Sequence, residues 1–358
     1  MTPVTGGGLN EIPSTSRSNV SRDMCGRTDN QQVPSQWTRR APHWYATQMS
    51  LRAELVRWCL PWFMQPRFPP DIQIEDVRRR VARFVHLIPS PPRGTVVIAV
   101  DAGGVKAERI TTPRSLHNRY LLHLHGGAYL FGFPALFRDF AWRIADAARA
   151  RVLCIDYRLA PEHPFAAAIE DAMAAYRGLI AEGVEPRHVA FIGDSSGGGL
   201  ALASMMRLRD EGSPLPAAAV LLSPWTDLAL TGQSLTEYGF SDPMVPVALM
   251  PRAVELYLAG ADPRSPYASP LYGDPAGLPP TLIYVGSDEA LRDDAVRMAE
   301  RLGSAGCEVK LEVWPRMFHV WPMFARILPE ARAAIAGIGA FLQARLSSHL
   351  ASQVAITK

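Results

Sequence analysis

Two rhythms of apolar positions alternate along most of the chain. Short, largely apolar runs at Tyr120–Leu124, Val152–Tyr157, Val189–Ile192, Ala217–Leu222, Thr281–Val285 and Glu308–Val313 predict strands. Between them, Phe137–Ala150, Ala166–Ala181, Ser196–Asp210 and the stretches near 292–304 and 329–346 carry apolar residues three and four apart, which predicts helices. Strands spaced by amphipathic helices imply an α/β chain with a mostly parallel sheet and helices on both faces. Upstream, GTVVIAV (Gly94–Val100), a turn at Ala102-Gly103-Gly104 and a second strand near 105–111 predict a hairpin, hence an antiparallel edge.

The rhythm fails in two places. Residues 44–65 have a helical pattern ending in Trp58, Leu60, Trp62, Phe63 and Met64, interrupted by Pro61 and by Pro69-Pro70, and a second helix follows at Ile74–Phe84. Residues 231–270 hold Phe240, Met244, Met250 and Tyr257 among prolines and glycines and predict an insertion with its own helix. The expected organisation is a disordered polar leader over 1–42, N-terminal cap helices over 43–90, and an α/β domain over 91–350 with a cap insertion at about 231–270. Trp58, Trp62, Phe63, Phe240 and Met244 are candidates for lining a pocket beneath such a cap.

Composition narrows the partners. Hydrophobic residues make up 48% and charged residues 20% of 358, enough for one large core. A net charge of +3, with basic residues scattered, argues against nucleic acid and anionic membranes. No apolar run approaches the roughly 18 residues of a membrane span. Cys25, Cys59, Cys154 and Cys307 form no metal-type pair, and with the polar N-terminus they favour a reducing, cytoplasmic setting.

Three segments carry chemistry. Gly193-Asp194-Ser195-Ser196-Gly197 is a G-x-S-x-G between a strand and a helix, the context in which a serine is presented on a strained turn. His123-Leu124-His125-Gly126-Gly127-Ala128-Tyr129 ends an earlier strand; its small residues suit an oxyanion turn, with Gly126 shaping the loop and the N–H groups of Gly127, Ala128 and Ser196 as donors. A metal pair at His123 and His125 is the weaker alternative, lacking a third ligand. His319, on the loop after the last strand, is the candidate base. The acid belongs to the loop Gly286–Asp294, which offers Asp288, Glu289, Asp293 and Asp294. Asp293 and Asp294 fall in the first turn of a helix, where acids commonly complement the dipole.

HGGAY (125–129), DYRLAPEHPF (156–165), GDSSGG (193–198), SPWTDL (223–228), the 286–294 loop and MFHVW (317–321), in this order, resemble the hormone-sensitive-lipase family of microbial esterases. The resemblance spans about 120–345 and implies an α/β-hydrolase fold with Ser195 as nucleophile and His319 as base. Two departures stand out. Ala128 replaces a frequent third glycine, and the family's Asp-Pro-Leu-x-Asp acid string is missing. In the frame of Leu291 and Asp293 the acid slot falls on Glu289, with Asp288 as the alternative one residue away. Asp156, Arg158 and Glu162 are expected to anchor loops behind the oxyanion turn.

The expected activity is hydrolysis of short to medium acyl esters through an acyl-enzyme, without metal or cofactor. An N-acetyl hydrolase or a lactone hydrolase would use the same residues, and a non-hydrolytic small-molecule receptor is the rival from another class. The expected partner is a small-molecule ester, with neither nucleic acid nor stable membrane insertion; a homodimer is left open.

Overall fold

The computed structural model describes residues 49–64, 73–239 and 241–346. The expected leader, Cys25 and Phe240 lie outside the described residues, as does the Phe63 side chain. The strands are β1 (Val96–Ala102), β2 (Val105–Thr111), β3 (Tyr120–Leu124), β4 (Arg151–Ile155), β5 (Val189–Asp194), β6 (Ala218–Leu222), β7 (Thr281–Gly286) and β8 (Val309–Trp314). The helices are α1 (Leu51–Met64), α2 (Ile74–Phe84), α3 (Arg138–Ala148), α4 (Ala167–Ala181), α5 (Ser196–Asp210), α6 (Ser234–Tyr238), α7 (Met250–Leu258), α8 (Arg292–Ser304) and α9 (Pro329–Leu346).

One eight-stranded sheet runs β1-β2-β4-β3-β5-β6-β7-β8. The β1–β2 hairpin forms the antiparallel edge, β2 pairs antiparallel with β4, and the remaining pairs are parallel. Central strands β3, β5, β6 and β7 are buried along their whole length, as expected of parallel strands covered on both faces. Helices α4, α5 and α8 cover one face and α3 and α9 the other.

Register sets the site. Leu124 pairs with Gly193, Asp194 with Leu222, and Gly286 with Trp314. The loops after β3, β5, β6, β7 and β8 therefore leave the same edge of the sheet. The order reverses between β3 and β5, the place where a crevice opens in such sheets.

Helix α1 passes through Pro61 to Met64, where the sequence predicts a break. It buries Ala53 and Leu60 and is tied down by polar contacts. Glu330 of α9 accepts from the Ser50 N–H (2.7 Å) and hydroxyl (3.1 Å), and Arg57 reaches Asp288. Trp58 and Trp62 sit on the opposite face, 70% and 77% exposed, so they do not line an enclosed pocket; the packed face of α1 carries Ala53, Val56 and Leu60 instead. Met244 is half-buried against the α3/α9 core. The segment between β6 and β7 holds two helices, α6 and α7, rather than one.

Candidate active site

At the end of β5 the chain turns into α5 through Ser195, whose φ of 54° and ψ of −124° lie outside the ordinary helix and strand regions. Such a backbone costs on the order of 1–3 kcal/mol and must be held by its surroundings. The Ser195 N–H donates to the Leu222 carbonyl (2.8 Å) and the Ser195 carbonyl accepts from the Trp225 N–H (2.9 Å). The motif's glycines are steric requirements. A Cβ on Gly193 would overlap the Gly197 carbonyl, and one on Gly197 would overlap the Leu124 carbonyl of β3.

The turn after β3 packs onto this elbow: a Cβ on Gly126 would lie 3.0 Å from the Ser195 Cβ. Asp194 accepts the Gly126 N–H at Oδ2 (2.9 Å) and meets His123 Nε2 at Oδ1 (3.0 Å). Gly126 thus spends its N–H on Asp194 and serves as a spacer, not as an oxyanion donor. Gly127, Ala128 and Tyr129 follow with φ of 123°, 54° and 62°. Ala128 is held in the left-handed region that favours glycine. Ser196, the first residue of α5, is fully buried beside the elbow, so its N–H sits at the positive end of the helix.

The two histidines of the turn do not converge on a metal. His123 bridges Asp194 and the buried Cys154 thiol (3.4 Å). His125 lies between the rings of Phe137 and Tyr157, at centroid distances of 5.4 and 4.2 Å, and its Nδ1 reaches the Gly126 carbonyl. Burial pushes its pKa down to about 4, so it is a neutral packing residue. In DYRLAPEHPF the anchor of the turn is Tyr157, whose hydroxyl donates to the His125 carbonyl (2.6 Å). Sequence reading misses it because nothing marks one tyrosine's hydroxyl as directed. Arg158 instead pairs with Asp171 and Glu170 of α4, and Glu162 with Arg78 of α2. Asp156 is exposed, with its N–H on the Lys106 carbonyl of β2.

From the other side come Glu289 and His319. His319 Nδ1 lies 3.0 Å from Glu289 Oε2, and both side chains are buried. With Nδ1 donating to the carboxylate, Nε2 keeps the lone pair. Glu289 Oε1 accepts from the Gly286 N–H (2.5 Å) and the Ser223 hydroxyl (2.9 Å), while the Ser223 oxygen accepts the Val320 N–H (3.1 Å). Ser223 therefore stitches the acid loop to the histidine loop. In sequence it heads the SPWTDL segment directly after β6, where nothing marks its hydroxyl as a bridge. Burial alone would lower the His319 pKa, but Glu289, with Asp242 and Asp194 beyond it, outweighs burial and holds the imidazole above its usual value. Burial lifts Glu289 in turn, opposed by His319 and the Gly286 N–H.

The other acids of the loop have different partners. Asp288 faces Arg57 of α1 (2.5 Å) and accepts from the Ser287 hydroxyl (2.6 Å). Asp293 accepts the Ser234 N–H (2.9 Å). Asp294 is buried and accepts the Thr226 and Asp227 N–H groups (both 2.8 Å). Asp293 thus braces the insertion and Asp294 the loop after β6, beyond merely complementing a helix dipole. The insertion also reaches the turn after β3, where Tyr257 of α7 stacks on Tyr129 with centroids 3.8 Å apart.

Known proteins agree with this architecture. Residues 121–323 match a family model described as the α/β-hydrolase fold. An acetyl-hydrolase of Streptomyces hygroscopicus is 49% identical over 252 residues, covering 70% of this chain and 83% of its own. An esterase of Acinetobacter venetianus is 35% identical over 253 residues, covering 70% and 83%. The crystal structure of an esterase from the bacterial hormone-sensitive lipase family superposes with a TM-score of 0.80 at 42% identity, covering 84% of this chain and all of that one. The chain accordingly belongs to the α/β-hydrolase family, among the esterases of the hormone-sensitive-lipase group.

Proposed function

We propose that this carboxylic ester hydrolase works through Ser195 as nucleophile, His319 as general base and Glu289 as the acid that orients it. The buried Glu289–His319 hydrogen bond, on the same sheet edge as the strained Ser195 turn, carries the reading. His319 Nε2 takes the Ser195 proton as Oγ bonds to the ester carbonyl carbon. The resulting oxyanion accepts from the N–H groups of Gly127, Ala128 and Ser196. The tetrahedral adduct expels the alcohol, which leaves with the proton from His319, and an acyl-serine remains. His319 then takes a proton from water, hydroxide adds to the acyl carbon, and the carboxylic acid departs as Ser195 regains its proton.

The proposed substrates are small esters of short to medium acyl chain. The relative named acetyl-hydrolase supports the short end of that range, and an N-acetyl amide is the second reading it favours. Helices α1 and α2 and the 231–270 insertion are read as a cap over the site, pinned by the Arg57–Asp288 and Arg78–Glu162 pairs. No helix among the described residues is long and apolar enough to cross a membrane. Free thiols at Cys59, Cys154 and Cys307 support a reducing, cytoplasmic setting. The test is turnover of aryl esters of graded acyl length, alongside amides and lactones, by Ser195→Ala and His319→Ala. Each variant should lose on the order of 10⁴–10⁶ in kcat while staying folded. Wild-type turnover by either would refute the assignment.

A further inference from the structure

Asp242 lies in the insertion, beyond α6, and is 1% exposed. Its Oδ1 accepts the N–H groups of Met244 (2.9 Å) and Val245 (3.1 Å), closing a tight turn around Pro243. Its Oδ2 accepts the N–H of Ala290 (2.9 Å), the residue next to Glu289. The Ala290 carbonyl in turn accepts from the Ser234 hydroxyl (2.7 Å), also from the insertion. Both polar backbone groups of Ala290 are thus held from outside the loop, while Gly286 and Ser223 hold the Glu289 carboxylate from inside. A proline at 290 would have no N–H to give. Alanine here makes the link available.

We propose that Asp242 is a positioning residue for the Glu289–His319 pair, locking the acid-bearing loop to the insertion and placing a second negative charge behind the imidazole. The proposal rests on the triad assigned above. Around His319 the charged groups are Glu289 on the loop after β7, Asp242 on the insertion and Asp194 at the end of β5. Asp288 on the flank of the loop faces Arg57, and Arg316 on the histidine loop faces Glu54. Of the three carboxylates acting on His319, Asp194 is engaged with His123 and Gly126, whereas Asp242 bonds directly to the backbone of the acid loop. Its charge acts with that of Glu289 to favour the imidazolium that forms in each proton transfer.

Asp242→Asn keeps the size and removes the charge. With a soluble aryl butyrate, and active sites counted by an organophosphate, kcat per site should fall roughly 10- to 100-fold with KM changed by less than about threefold. The acidic limb of kcat/KM should move down by on the order of half a pH unit, because the imidazolium loses a stabilising charge. Ser234→Ala removes a hydrogen bond to the same alanine without altering charge and should leave the limb in place. Should Asp242→Asn fail to fold, Asp242→Glu carries the test: kcat falls while the limb stays, and a displaced limb overturns the proposal. Wild-type kcat per site and an unmoved limb in Asp242→Asn would also overturn it, leaving the triad intact. Full turnover in Ser195→Ala would remove the triad itself.

Discussion

Exchanging charge for amide at the two adjacent acids of the 286–294 loop separates catalysis from anchoring. In Glu289→Gln the side-chain oxygen can still accept from Gly286 and Ser223, so the loop keeps its shape. The amide nitrogen then faces His319 Nδ1 across the present 3.0 Å and donates to it. That contact forces the proton onto Nε2, the atom that must accept from Ser195. A wrong tautomer of this kind costs about 10⁴ in kcat, or roughly 5.5 kcal/mol of barrier. Asp288→Asn loses only the pair with Arg57, whose partners are 22% and 24% exposed. A partly exposed pair contributes about 1 kcal/mol or less, so this variant should keep kcat within a few-fold and lose slightly in melting temperature. The assay is kcat for a soluble aryl ester, normalised to folded sites by circular dichroism and active-site titration. A collapse in Asp288→Asn together with near-normal turnover in Glu289→Gln would refute the reasoning.

Two further outcomes follow from titrating groups. Because His319 is held above its ordinary value of about 6.5, the acidic limb of kcat/KM should have its midpoint above that pH, activity falling as the imidazole gains a proton; a midpoint clearly below 6 in a pH–rate profile would contradict it. Asp294 is pushed up to about 8 by burial first and by Asp227 next, against the Thr226 and Asp227 N–H groups and Arg297. The folded state therefore holds a proton that the unfolded chain releases near pH 3.9, so the stability this group contributes is present at low pH and lost as pH rises toward 8. Asp294→Asn, which mimics the neutral acid, should flatten the fall in melting temperature between pH 5 and 8; an unchanged slope in thermal unfolding scans would count against it.

Much of the molecule is legible from order alone. Parallel strands buried on both faces read as unbroken apolar runs, so β3, β5, β6 and β7 and the helices α3, α4 and α5 emerge within a residue or two. The Ser195 turn is legible because its glycines answer to a local clash: Gly193 and Gly197 face each other and β3 across a single turn. His319 follows from its place after β8. These features depend on residues near one another in sequence or on the fixed order of loops along one sheet edge.

What the sequence leaves open is settled by contacts between distant segments. Asp288 and Glu289 are neighbours with equivalent chemistry; only the packing of the 286–294 loop turns one toward His319 and the other toward Arg57, 231 residues away. The outward stripe on α1, with Trp58 and Trp62 exposed, runs against the rule that aromatics seek the interior: the face that packs carries Ala53, Val56 and Leu60, with ties from Ser50 to Glu330 and from Arg57 to Asp288. Tyr157 and Ser223 sit in the DYRLAPEHPF and SPWTDL segments, which say nothing of what their hydroxyls bind, and Asp242 lies outside all such segments. Each acts through one directed hydrogen bond to another loop, and a hydrogen bond's value depends on where its partner lies in space, which periodicity and composition do not encode.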